Sequence, residues 1–125
     1  MTKRRTLLLV VLGLLGAVAS AQSPTGPRPA STQRYPQFEN AQVRVWKTVV
    51  MPHQPSDLHR HDHARTVVAL VGGPLTIRKQ SGSSQVMRWE TGKAYWLEAD
   101  PPGELHADVN DTDKPIEVMT IEMTR

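Results

Sequence analysis

The stretch Leu58-His59-Arg60-His61-Asp62-His63-Ala64-Arg65-Thr66-Val67-Val68-Ala69-Leu70-Val71 sets three alternate histidines directly ahead of an apolar, β-branched run. Thr66 to Val71 has the composition of a strand buried on both faces. Successive side chains of an extended chain point to opposite sides, so His59, His61 and His63 are expected on one face, with Arg65 beside them. Alternate residues on a strand stand about 6.5–7 Å apart, and two imidazoles can lean together from there to share an ion at about 2.0–2.1 Å. His59 and His63 are twice as far apart. One of the three is then a bystander, or the strand bulges. The competing reading is a solvated polar edge without a defined site. His53, beside Pro52 and outside the alternation, reads as a loop residue.

Working outward, every further signal is strand-like. Val43 to Val50 alternates, with Val43, Val45 and Val49 on one face. Leu75 to Lys79 and Gln85 to Trp89 flank Gln80-Ser-Gly-Ser-Ser84, a hairpin with a Gly-containing loop. Ala94 to Leu97, Leu105 to Asn110 and Ile116 to Met123 complete the series. Gly72-Gly73-Pro74, Thr91-Gly92, Asp100-Pro101-Pro102-Gly103 and Asp111 to Pro115 punctuate it. About seven or eight short strands joined by turns predict an all-β, antiparallel sandwich or barrel. Trp46, Trp89, Trp96 and Tyr95 are expected in its core or at its lip.

Lys3, Arg4 and Arg5 precede an apolar run from Leu7 to Leu15 that ends in Ala17-Val18-Ala19-Ser20-Ala21, the three parts of a secretory signal. The run is far shorter than the roughly 20 residues that span a bilayer, so no membrane association is expected after cleavage. Ser23 to Gln37 carries Pro24, Pro27, Pro29 and Pro36. The expected organisation is a signal peptide at 1–21, a disordered or extended Pro-rich leader at 22–37, and one β-barrel domain at 38–125, in a periplasmic or secreted protein. Residues 1–21 hold three of the 15 basic residues and none of the 12 acidic ones, so the remainder is balanced and nucleic-acid binding loses its electrostatic support. The absence of cysteine excludes disulfides, thiolate metal ligands and a cysteine nucleophile.

Gly92, Pro101, Gly103, His106 and Asn110, taken with the first cluster, give the chain a resemblance to the cupin superfamily. Its first motif reads Gly-x5-His-x-His-x3–4-Glu-x6-Gly, and its second Gly-x5-Pro-x-Gly-x2-His-x3-Asn. His59, His61 and Gly72 match the first, but Arg65 stands where the Glu is expected and His53 where the leading Gly would fall. Pro101, Gly103, His106 and Asn110 match the second, with Gly92 three residues upstream of the usual place. The resemblance implies a jelly roll, or double-stranded β-helix, with His59, His61 and His106 turned inward to bind a divalent metal (Fe, Mn, Zn, Cu or Ni). His63 stays a candidate through the alternative pair His61 and His63.

Arg65 cannot replace a carboxylate ligand, because a guanidinium stays protonated and has no lone pair to offer. Beside an ion it is expected to anchor a small anionic molecule. Glu98 and Glu104 are candidates for an acid, a base or a displaced fourth ligand. The function expected from the resemblance is metal-dependent chemistry of oxygenase or isomerase type on a small carboxylate-bearing or enolisable substrate. The alternatives are a non-catalytic metal- or ligand-binding envelope protein and a cupin barrel without metal. Small cupins are often dimers, so a homodimer is a further expectation.

Overall fold

The computed structural model describes residues 29–125. The expected signal peptide and the first part of the leader, residues 22–28, lie outside the described residues. Eight strands follow one another: β1 (Gln33–Glu39), β2 (Val43–Val50), β3 (Arg65–Val71), β4 (Gly73–Lys79), β5 (Ser84–Trp89), β6 (Ala94–Leu97), β7 (His106–Val109) and β8 (Ile116–Met123). No helix occurs among the described residues, and none of them forms a helical membrane span. One sheet runs β1-β2-β8-β3-β6 and the other β5-β4-β7, with every pairing antiparallel. The expected all-β antiparallel jelly roll is the architecture observed.

The register explains how the interior is divided. Along β8 the alternate residues Ile116, Val118, Thr120 and Glu122 are buried. β3 sets Arg65 opposite Glu122, Val67 opposite Thr120 and Ala69 opposite Val118. β2 sets Trp46 opposite Thr120, Thr48 opposite Val118 and Val50 opposite Ile116. The inward rows therefore grade from charged at one end to aliphatic at the other. At the aliphatic end Val50, Val67, Ala69, Ile116 and Val118 meet Leu75 and Trp89 of the second sheet in one core. Burial of the Val, Leu and Ile side chains among these, each worth about 1.5–3 kcal/mol, holds the sheets together.

Three expectations need correction. The domain starts at Gln33 rather than Phe38, because the second half of the proposed leader is strand β1. Pro36 is tolerated there because β1 is an edge strand, and its pairing with β2 slips between Pro36 and Phe38. β3 is buried along its inward row only: Leu70 and Val71 are exposed, since its outer face carries no second layer. Trp96 is exposed, whereas Trp46 and Trp89 are buried.

Two glycine positions of the first motif have local explanations. His53, standing where the motif has Gly, adopts φ 58°, the left-handed conformation that glycine accepts most readily. Gly72 cannot be exchanged, because a Cβ there would come within 2.3 Å of the Trp89 carbonyl oxygen.

Asn110 is fully buried, and its side chain closes the end of β7. Its Nδ2 donates to the Val50 carbonyl at 2.9 Å and to the Lys114 carbonyl at 2.8 Å. Its Oδ1 accepts from the Thr112 amide at 3.0 Å and from the Thr112 hydroxyl at 2.7 Å. The motif asparagine is thus a structural tie between strand β2 and the loop before β8. Asn110→Ala should cost about 1–3 kcal/mol by removing the side-chain donor to the Val50 carbonyl and the acceptor of the Thr112 amide, read as a lower urea midpoint. Asn110→Asp should cost at least as much, because a carboxylate has no donor for either carbonyl.

Candidate metal centre

His59 and His106 are brought together by the backbone. The His59 amide donates to the His106 carbonyl at 2.9 Å and the His106 amide donates back at 2.8 Å, an isolated antiparallel bridge between the two motifs. Two residues on, the His61 amide donates to Asp100 Oδ2 at 2.7 Å, and the Asp100 amide donates to the His61 carbonyl at 2.8 Å. The chain then bends at Asp62 and His63, which ends the alternation and leaves His63 exposed. His63 is therefore corrected: it does not join the cluster, and the pair is His59 and His61.

The three rings pack closely, with centroids 4.4 Å apart for His59–His106, 5.2 Å for His59–His61 and 5.8 Å for His61–His106. One nitrogen from each lies within 4.8 Å of the others, so the triad could hold an ion. Each Nδ1 faces an acceptor. His59 Nδ1 donates to the Asp57 carbonyl at 2.9 Å, His61 Nδ1 donates to Glu122 Oε2 at 2.7 Å, and His106 Nδ1 faces Asp100 Oδ2 at 3.4 Å. Anchoring Nδ1–H leaves the Nε2 lone pair for a metal. His59 Nε2 is buried without a hydrogen-bond partner. A buried nitrogen left unsatisfied in this way is what a missing cation would explain, so the residues present fit a divalent metal.

Burial favours the neutral form of His61 and His106. Burial, followed by the charge of Arg65, lowers the His61 pKa to about 2. Burial also lowers His106, against the opposing pull of Asp108 and Asp100. Burial raises Glu122, against the pull of Arg65.

Arg65 points inward as its parity requires and is 6% exposed. It is not free to take an anion, however: its Nη1 donates to the Glu98 carbonyl at 3.0 Å and its Nη2 to Asp100 Oδ1 at 3.3 Å. The expected role of anion anchor is corrected to that of a brace for Asp100. Glu98 and Glu104 both line the cavity beside the triad, yet each is occupied elsewhere. Glu98 Oε1 accepts from Trp96 Nε1 at 2.7 Å, and Glu104 Oε2 pairs with Lys79 at 3.1 Å. Neither joins the histidines among the described residues.

That cavity measures about 290 Å³ and runs from His61, His106 and Asp108 to an apolar wall that includes Leu75, Met87 and Trp89. Arg34 of β1 stands on its rim with its guanidinium 5.1 Å from the Trp46 ring centroid. The Trp46 ring is parallel to that of His61, 5.9 Å away. Arg44, Arg60 and Arg65 each pair with a carboxylate, whereas among the described residues Arg34 has none within ion-pair distance. Sequence reasoning missed Arg34, Asp100, Asp108 and Glu122. Parity carried a signal for two of them, since Glu122 continues the buried row of β8 and Asp108 repeats the i, i+2 spacing after His106. Arg34 was hidden by its assignment to the leader, and nothing before Pro101 marks Asp100.

No family model matches the sequence, and no curated protein matches it. Solved structures do. A cupin domain protein from Bordetella pertussis Tohama I is 24% identical, with a TM-score of 0.67 over 80% of this chain and 100% of that one. An RmlC-like cupin with a double-stranded β-helix from Methanocaldococcus jannaschii is 9% identical, with a TM-score of 0.58 over 89% and 93%. The polyketide cyclase RemF from Streptomyces resistomycificus is 14% identical, with a TM-score of 0.55 over 77% and 67%. The two sheets, the inward histidines and these likenesses agree: the chain has the double-stranded β-helix fold of the cupin superfamily.

Proposed function

We propose that the protein is a metal-binding cupin whose cavity admits a small carboxylate to the ion. The observation that carries this reading is the triad itself: three close-packed imidazoles from two distant segments, two of them anchored through Nδ1, with a buried, unpartnered nitrogen on His59. Imidazole donors suit Zn, Cu, Fe and Ni, and the carboxylates close by extend the range to Mn. A bound divalent ion would supply Lewis acidity toward a carboxylate or a neighbouring carbonyl. The protein's own part is recognition. Arg34, stacked on Trp46 and lacking a carboxylate of its own, is suited to hold the anion in place of Arg65. The apolar wall of the cavity would take the body of the ligand. That the same fold carries a polyketide cyclase supports a catalytic use of the site. The N-terminal pattern of residues 1–21 supports an exported protein.

Metal analysis after dialysis against Zn²⁺ or Mn²⁺ should give one ion per chain, together with a rise in melting temperature. His106→Ala should lose both, and His63→Ala should keep both. Equal metal in wild type and His106→Ala would refute the site.

Metal-free protein should lose stability as the pH falls below 6.5. His61 has a pKa of about 2 in the fold against an ordinary 6.5, and His106 is lowered as well, so the unfolded chain binds more protons. The contribution is complete above pH 6.5 and is lost progressively toward pH 2. Glu122, raised from 4.5, acts in the opposite sense but only in the carboxylate range. Urea midpoints at pH 7.5, 6.0 and 5.0 should therefore decline in order.

Calorimetric titration of the metal-loaded protein with benzoate, using benzamide as the neutral control, tests the anion reading. Arg34→Ala should weaken benzoate roughly 10-fold, the worth of one charge-assisted contact, and leave metal content unchanged. Undiminished benzoate affinity in Arg34→Ala would assign the anion elsewhere.

A further inference from the structure

Asp108 lies two residues after His106 on β7 and shares its face. Its Oδ2 stands 3.7 Å from His59 Nε2 and its Oδ1 3.8 Å from His106 Nε2. These distances are too long for hydrogen bonds. They lie within about 0.2 Å of the spacing between donors around one ion, roughly 3.0–3.6 Å for bonds near 2.1 Å at angles of 90–120°. Since Nδ1 of each ring is turned to another acceptor, the nitrogens facing Asp108 present lone pairs. A lone pair opposite a carboxylate oxygen is repulsive unless a cation lies between them.

The carboxylate is also held in place. The Asp108 amide donates to Ser56 Oγ at 2.9 Å, and the Ser56 amide donates to the Asp108 carbonyl at 3.0 Å. Its side chain is largely buried and has no hydrogen-bond donor among the described residues. The position that the motif reserves for a carboxylate is filled by Arg65, whose charge is spent on Asp100. Asp108 is the carboxylate that faces the Nε2 atoms of two of the three histidines, where it could offset the charge of a divalent ion.

We infer that Asp108 is the fourth metal ligand, so that the carboxylate of the site has moved from the start of β3 to β7. This rests on the metal-binding reading above. The test uses the full chain stripped of metal, titrated calorimetrically with Zn²⁺ and Mn²⁺ and followed by visible absorption with Co²⁺. Asp108→Asn should weaken binding of all three ions by 10-fold or more and change the Co²⁺ spectrum, while the metal-free variant unfolds at the wild-type urea midpoint or above it. Asp108→Glu, which keeps the charge and lengthens the arm, should recover part of the affinity. Wild-type affinity and an unchanged Co²⁺ spectrum in Asp108→Asn would overturn the assignment and leave the histidine site standing. Failure of the wild type to bind any of the ions would overturn both.

Discussion

One carboxylate, Asp100, organises the charged end of the barrel. Its two oxygens serve the His61 amide, the Arg65 guanidinium and the edge of His106, and its own amide returns to the His61 carbonyl. A buried guanidinium without such a partner would be costly, and so would an inward row of imidazoles without acceptors. Asp100 meets the first demand and shares the second with Glu122 and the Asp57 carbonyl. It does so from the turn before Pro101-Pro102, where the backbone is stiff. The substitution of Arg65 for the expected carboxylate is intelligible only with this partner in view.

The graded inward rows explain how a site can sit in so small a barrel without dissolving its core. Ile116 and Val118 on β8 and Val67 and Ala69 on β3 belong to the packed end, while Glu122 and Arg65 begin the polar end a few residues away on the same strands. Because β3 and β8 are antiparallel, the polar end of one meets the polar end of the other. The charged groups gather at one mouth, and no charge is placed within the aliphatic layer.

Much of this was legible in the sequence. Alternation placed β2, β6 and β8 to the residue, and the resemblance to the cupin motifs pointed to His59, His61 and His106 as the triad. What failed had definite causes. Pro36 looked like a strand breaker, but an edge strand with a slipped register accepts it, and Arg34 was lost to the site along with that strand. The strict alternation carried to His63 ignored a bend that sequence does not announce. Arg65 was expected to meet the anion of a ligand, whereas its partner is a carboxylate from a loop far along the chain. Parity is a local rule, and contacts across the barrel mouth lie outside it.

The reciprocal amide pair between His59 and His106 fixes which segments meet before any ion is considered. The entropy of closing the long loop between the two motifs is met by the sheets and not by coordination. Folding then does not depend on the binding of an ion at the triad. A protein built this way would fold before any ion bound and would keep its fold if that ion were withdrawn.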